Sequence, residues 1–256
     1  MKKSYIFITI LLLGLGIASS ILFDIMQLKI VSDASTNRLL SGIVSRFIMA
    51  GLFIWLSFVF RGTRLLAFNK SFFNYFSWIL PCLMVAFINF PFSALIQGTA
   101  SITRMDLIGL YALYVFSIAL LEEFIFRGIL LLILDDYLRG RKHKPFFMAL
   151  ISSLVFSLFH LTNLIVGADV AGTLLQCLYT FLIGGMLAVT MLKTKNIWLC
   201  ILIHTIFDFG GLLIANIGIG NPWDTIFWIL TITGGLLCAG HIIFSLIKLE
   251  KEYVSE

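Results

Sequence analysis

The sequence predicts an all-α, polytopic membrane helix bundle of about eight transmembrane helices with both termini in the cytoplasm. Three observations lead there. Hydrophobic residues fill 60% of the 256 positions and charged residues only 12%, with a mean hydropathy of +1.05. A soluble chain of this length needs more charge than that to cover its surface. Apolar runs long enough to cross a bilayer recur along the chain, and lysine and arginine alternate between rich and poor from one connection to the next.

The runs fall at 5–23, 39–60, 75–97, 106–134, 145–165, 170–192, 196–216 and 223–248. The first follows Met1, Lys2 and Lys3, exceeds a signal-peptide core in length and is closed by no small-x-small cleavage site, so it reads as a retained anchor. Pro81 and Pro91 mark the third run for kinks, which membrane helices tolerate where neighbours satisfy the freed carbonyls. Gly184, Gly185 and Ala188 give the sixth run a small-residue face for close helix approach. No internal repeat is visible, which weighs against the inverted-repeat organisation of secondary transporters.

Basic residues assign the topology. Lys2 and Lys3, then Arg61, Arg64 and Lys70, then Arg139, Arg141, Lys142 and Lys144, then Lys193 and Lys195, and finally Lys248 and Lys251 mark one side. The connections between them hold only Lys29, Arg38 and Arg104. The positive-inside rule puts the richer side, and both termini, in the cytoplasm. The net charge of +5 is scattered between apolar runs rather than gathered on one face, so no nucleic-acid partner is expected. Cys82, Cys177, Cys200 and Cys238 lie inside runs without paired spacing and imply no disulfide framework or zinc knuckle.

Against this apolar background the stretch ALLEEFIFRGILLLI, 119–133, stands out. Each charge in such a run carries an insertion penalty of about 2.5–3.5 kcal/mol. The fourth run holds Glu122, Glu123 and Arg127, the fifth His160, the seventh His204 and Asp208. At 1.5 Å per residue, Glu122, His160, His204 and Asp208 all lie about 12–22 Å from the cytoplasmic helix ends, in one layer of the bilayer. Four polar groups from three helices at one depth are what a buried site requires.

Local spacing separates their roles. Glu123 and Arg127 are four apart, so the guanidinium can neutralise that carboxylate. Glu122 points about 100° away and is left as the available acid. His204 and Asp208 are also four apart, so the aspartate can fix the imidazole tautomer or share a ligand with it. Phe156 lies four before His160 and sets a ring beneath it. Taken singly, each pattern is equally an ion pair, a satisfied interhelical histidine or a helix tie. A glutamate and two histidines can supply the base, oxyanion stabiliser and proton donor that peptide hydrolysis needs. Glu122, His160, His204 and Asp208 are also candidate ligands for one divalent metal such as zinc, although no HExxH helix is present. A metal-free and a metal-bound water stay open as alternatives.

EEFIFR fits Glu-Glu-x-x-x-Arg, FSLFH fits Phe-x-x-x-His, and HTIFD fits His-x-x-x-Asn/Asp. In that order they resemble the CPBP family of intramembrane proteases, the CAAX-processing, bacteriocin-processing or Abi family, over roughly residues 105 to 215. The resemblance implies a peptidase in which Glu122 and His160 activate water, His204 and Asp208 stabilise the oxyanion or position substrate, and Glu123 and Arg127 support the site. The family's prenyl-protein endopeptidases usually carry asparagine where this chain has Asp208, and an ionised aspartate cannot donate to an oxyanion.

The expected organisation is three N-terminal spans in 1–100, a protease core in 105–216 and a last span with a short tail in 217–256. The expected partners are the lipid bilayer and a membrane-bound or hydrophobic peptide, and the expected location is a cell membrane, bacterial by the compactness of the chain. Peptide or bacteriocin maturation or self-immunity are the roles the resemblance suggests. A non-catalytic immunity or membrane interaction protein is the alternative reading, and a proton-coupled transporter using Glu122, His160 and His204 is a third.

Overall fold

The computed structural model describes Gly14 and residues 29–61 and 75–255. The expected first span, 5–23, lies outside the described residues. Helix α1, Ala34–Arg61, is started by Asp33, whose carboxylate accepts from the Thr36 amide at 2.8 Å. This is the N-cap geometry that satisfies an otherwise orphaned helical N–H. Helix α2, Phe76–Ile88, accommodates Pro81, and the chain breaks at Asn89, Phe90 and Pro91 before α3, Phe92–Gln97. The break is tied off by the Asn89 side chain, which donates to the Phe207 carbonyl at 2.8 Å.

One continuous helical rod then runs through 108–137 in three parts: α4, Ile108–Glu123; a π-helical stretch, Phe124–Leu130; and α5, Leu131–Tyr137. The wide π turn spans the residues around Arg127, and such bulges concentrate at functional positions in helices. Helix α6, Lys144–Phe159, opens with Pro145 in its first turn and ends in a 3-10 turn, His160–Leu164. Asp169 caps α7, Val170–Thr194, by accepting from the Gly172 amide at 2.7 Å, and Asn196 caps α8, Ile197–Gly211, by accepting from the Trp198 amide at 3.0 Å. A short α9, Leu213–Ile217, and the long α10, Thr225–Ser255, complete the helices.

Two three-residue strands accompany the helices without altering the all-α class. Ala100–Ile102 (β1) pairs antiparallel with Gly218–Gly220 (β2), in the register Ala100 to Gly220 and Ile102 to Gly218. The pairing clips the connection before α4 to the one after α9, so α4 and the α8–α9 segment, two of the three elements that carry site residues, are fastened at the same end.

Within the bundle α4 lies between α1 and α8, α7 packs on α6 and α10, and α2 packs on α8 and α10. The small residues of α7 do what their spacing suggests. Gly184 lies against Phe156 and Ser153 of α6, and Gly185 against Ile242 of α10 and Ser153. Among the described residues five helical stretches are long and apolar enough to cross a membrane: Ala34–Phe58, Phe76–Gln97, Lys144–Leu164, Val170–Thr194 and Thr225–Val254. The rod 108–137 is as long as these but carries Glu122, Glu123 and Arg127 in its middle. Apolar side chains also cover the outside, with Leu236 71% and Ile232 63% exposed on α10. Large exposed apolar faces of this kind belong against lipid. The protein is an all-helical, multi-pass membrane protein.

Candidate active site

The most buried charges in the bundle are Glu123 and Arg127, both 0% exposed. An uncompensated charge at such a position costs several kcal/mol, so its partners decide whether the fold tolerates it. Arg127 Nη1 donates to Glu123 Oε1 at 3.1 Å, and Nη2 donates to the Gly184 carbonyl of α7 at 3.1 Å. The guanidinium also lies over the Phe156 ring, 4.5 Å from its centroid. The bare Gly184 makes room for the ring under the guanidinium: a Cβ there would collide with Phe156 at 2.9 Å, while meeting Arg127 Nη2 only at an ordinary contact of 3.5 Å. One arginine thus joins the π turn, α6 and α7.

Glu123 has a second partner that its sequence neighbourhood does not announce. His204 of α8 donates from Nδ1 to Glu123 Oε1 at 2.8 Å. The other imidazole nitrogen, Nε2, therefore faces the remaining carboxylates, at 3.4 Å from Asp208 Oδ2 and 3.7 Å from Glu122 Oε2. His204 thus has a cross-helix acid at one nitrogen and the aspartate four residues on at the other.

His160 sits where α6 passes into its 3-10 turn. Its Nδ1 donates to the Phe156 carbonyl at 2.9 Å, which leaves the Nε2 lone pair available as a base. Phe156 meets both imidazoles edge-on, with ring centroids 5.0 Å from His160 and 5.8 Å from His204. The predicted aromatic platform under His160 is present, and it serves both histidines and Arg127.

Glu122, His160, His204 and Asp208 line one cavity of about 310 Å³. Apolar Ile118, Leu121, Ile125, Phe159, Phe207 and Leu212 make much of its wall, with Thr162, Asn163, Gln176 and Tyr179 adding hydrogen-bonding groups. The side chains of Glu122 and Asp208 are 15% and 18% exposed into it, whereas Glu123 is sealed behind. The two adjacent glutamates are therefore divided as the 100° rotation between them predicts: one faces the cavity and one is locked in an ion pair.

Among the described residues no three or more His, Cys, Asp or Glu side chains are grouped to hold an ion, and His204 Nδ1 is already committed to Glu123. That bond leaves Nε2, beside Glu122 and Asp208, as the one His204 nitrogen open to a further partner. The free cysteines Cys82, Cys200 and Cys238 are buried and contribute nothing to this cavity.

One residue of the cavity wall escaped the sequence reading. Arg46 of α1 lines the same space, stacked over Tyr114 of α4 with its guanidinium carbon 5.0 Å from the ring centroid. It was visible as an arginine inside the run 39–60, and a search for charges within every run rather than the core runs alone finds it.

Comparison with known families matches residues 104–210 to the Rce1-like family, described as type II CAAX prenyl endopeptidase Rce1-like. The matched segment contains every carboxylate and histidine of the cavity. No curated protein and no solved structure matches the chain.

Proposed function

Because residues 104–210 match the Rce1-like family, we propose that the protein is an intramembrane endopeptidase that hydrolyses a membrane-associated or hydrophobic peptide. The observation that carries this reading is the division of the two glutamates. Glu122 opens into a cavity shared with His160, while Glu123 is neutralised by Arg127 and His204. A purely structural ion-pair network has no use for a second carboxylate left at a cavity wall.

In the proposed reaction a water between Glu122 and His160 loses a proton to one of these bases and attacks the scissile carbonyl. The π-electron pair moves onto the carbonyl oxygen, and His204 in its protonated form donates to that oxyanion from Nε2. Collapse of the tetrahedral intermediate breaks the C–N bond, and the proton taken from water is delivered to the leaving amine. Asp208 orients His204 through Nε2 in the resting site and yields that donor to the oxyanion as charge develops. This role suits an aspartate as well as an asparagine, since it asks the side chain to accept rather than donate. Glu123 and Arg127 hold His204 in register.

The same reading extends to the rest of the chain. We take 105–216 as the protease core, flanked by 1–100 and 217–256, with eight spans in all, both termini cytoplasmic and a bacterial plasma membrane as the setting. Maturation of a hydrophobic peptide or bacteriocin, or self-immunity, is the role these features suit. The test is a comparison of membrane-associated peptides from cells expressing wild type or Glu122→Ala at matched levels. Cleavage products that vanish with Glu122 support the protease and their termini identify the substrate. Identical peptides from two folded proteins would overturn it in favour of a non-catalytic immunity protein.

A further inference from the structure

A groove of about 730 Å³ opens on the outside of the bundle between α2 and α10, and none of its lining residues borders the cavity of Glu122 and His160. Its α10 side is a stripe at one-turn spacing: Leu237, Gly240, His241, Phe244 and Lys248. From Leu237 to Lys248 the helix rises about 16 Å, close to the ~15 Å that one leaflet contributes to a bilayer's hydrocarbon core. At the deep end Leu236 is 71% exposed, and a Cβ at Gly240 would meet nothing within 4 Å. The floor is therefore open apolar space of the depth that an acyl chain occupies.

The other end of the groove is positive. Lys248 lies over the rings of Phe244 and Trp78, 4.5 and 5.8 Å from their centroids, and no acid pairs with it among the described residues. Lys193 of α7 reaches the same Trp78 ring at 5.5 Å, but its charge is answered by Glu252. Ser77 lines this end from the first turn of α2, where Tyr75 makes no side-chain cap and the helix dipole is positive. Trp78 itself is 9% exposed, and its indole N–H has no partner among the described residues. An ammonium carries three donors, and contact with ring faces leaves outward N–H groups to bond an anion. A cation without an acid, set at the head of a lipid-facing apolar groove, selects an anionic headgroup over a zwitterionic one.

We propose that this groove holds one anionic phospholipid, with its phosphate at Lys248 and Ser77 and an acyl chain along Phe244, Gly240 and Leu237. The site is independent of the protease reading above, because it shares no residue with the reaction cavity.

The test is native mass spectrometry of the delipidated full chain in detergent, titrated with dioleoyl phosphatidylglycerol or dioleoyl phosphatidylcholine. The first phosphatidylglycerol should bind roughly fivefold more tightly than the first phosphatidylcholine, the effect of one lysine at a lipid surface. Lys248→Gln, at an exposed position, should bring that ratio close to one, and Lys248→Arg should keep it. Gly240→Leu places a side chain on the open floor, where its Cβ meets no neighbour, and should weaken the first phosphatidylglycerol severalfold. Glycerol 3-phosphate, an anion without chains, should not displace the lipid. Lys142→Gln removes an exposed lysine outside the groove and should change nothing. No preference for phosphatidylglycerol, a preference that survives Lys248→Gln, or full binding in Gly240→Leu would overturn the proposal. Displacement by glycerol 3-phosphate would overturn it in favour of a free-anion site, and an equal loss in Lys142→Gln in favour of general surface charge. If Lys248→Gln does not fold, the Gly240→Leu measurement carries the result.

Discussion

Two of the imidazoles embedded in this bundle, those of His204 and His241, differ in the one respect that matters for chemistry. His204 has a carboxylate at each ring nitrogen and borders a cavity with polar walls. His241 of α10 has Cys82 Sγ and Ser245 Oγ at 3.4 Å from Nε2 and packs edge-on to Trp78 at 5.6 Å. No carboxylate is bonded to it among the described residues, and the groove beside it opens between α2 and α10 on the apolar outside. A histidine inside a membrane helix is thus a tie by default. His204 differs in that acids flank both ring nitrogens and a cavity brings His160 to the same space.

The comparison is broken most sharply at Glu122. Replacement by glutamine should lower the hydrolytic rate by roughly 10²–10⁴-fold, the usual contribution of a positioned base, with no loss of thermal stability, measured by turnover and unfolding in the same detergent. His160→Gln should cost a comparable or smaller factor, because its tie to the Phe156 carbonyl is replaceable while its Nε2 is not. Arg127→Met tests the sealed layer instead. It leaves Glu123 with His204 as its remaining partner and should destabilise the protein by about 3 kcal/mol, whereas Arg127→Met with Glu123→Leu should regain part of that in thermal unfolding. The control is His241→Phe, expected to change stability by no more than about 1 kcal/mol and to leave turnover intact. A loss of turnover there would erase the distinction between the two imidazoles.

The smallest effect is at the surface. Asp33 accepts from Thr36 and from Arg104, and these bonds, with that of Thr36 the stronger influence, hold its carboxyl down to about 2. Arg104 also pairs with Asp106 at 2.9 Å, which holds that carboxyl below its usual range as well. A folded value below the unfolded one, about 3.9, means the stabilisation is complete above pH ~4 and is lost as pH falls toward 2. Asp33→Asn should flatten that acid limb slightly in thermal unfolding between pH 5 and 2.5; solvent screening of these half-exposed groups keeps the effect small.

What the sequence revealed of this site were the contacts that repeat at one helical turn. Glu123 with Arg127, Phe156 with His160 and His204 with Asp208 are all four apart, and each is found close in space. What it could not reveal were the contacts between helices. The bond from His204 to Glu123 links residues 81 apart, and the guanidinium's grip on the Gly184 carbonyl links residues 57 apart. Helix packing, not periodicity, creates both. The apolar runs foretold the helices well at 144–164 and 170–194, but runs 75–97 and 196–216 are each broken, at Pro91 and at Leu212. Pro91 is one of the two prolines that mark its run for a kink, whereas nothing in hydropathy marks Leu212, which follows Gly211 and precedes apolar Leu213. The β1–β2 clip was equally hidden: three-residue strands carry no pattern, and Gly218 and Gly220 read only as loop.

The most direct test of the central claim is hydrolysis in water enriched in oxygen-18, using wild type and Glu122→Gln reconstituted at equal amounts with membrane peptides. The account predicts that wild type produces new carboxyl termini bearing solvent oxygen and that Glu122→Gln, folded to the same melting temperature, produces almost none. New termini at the same rate from both proteins would show that the carboxylate at the cavity wall does not activate the water.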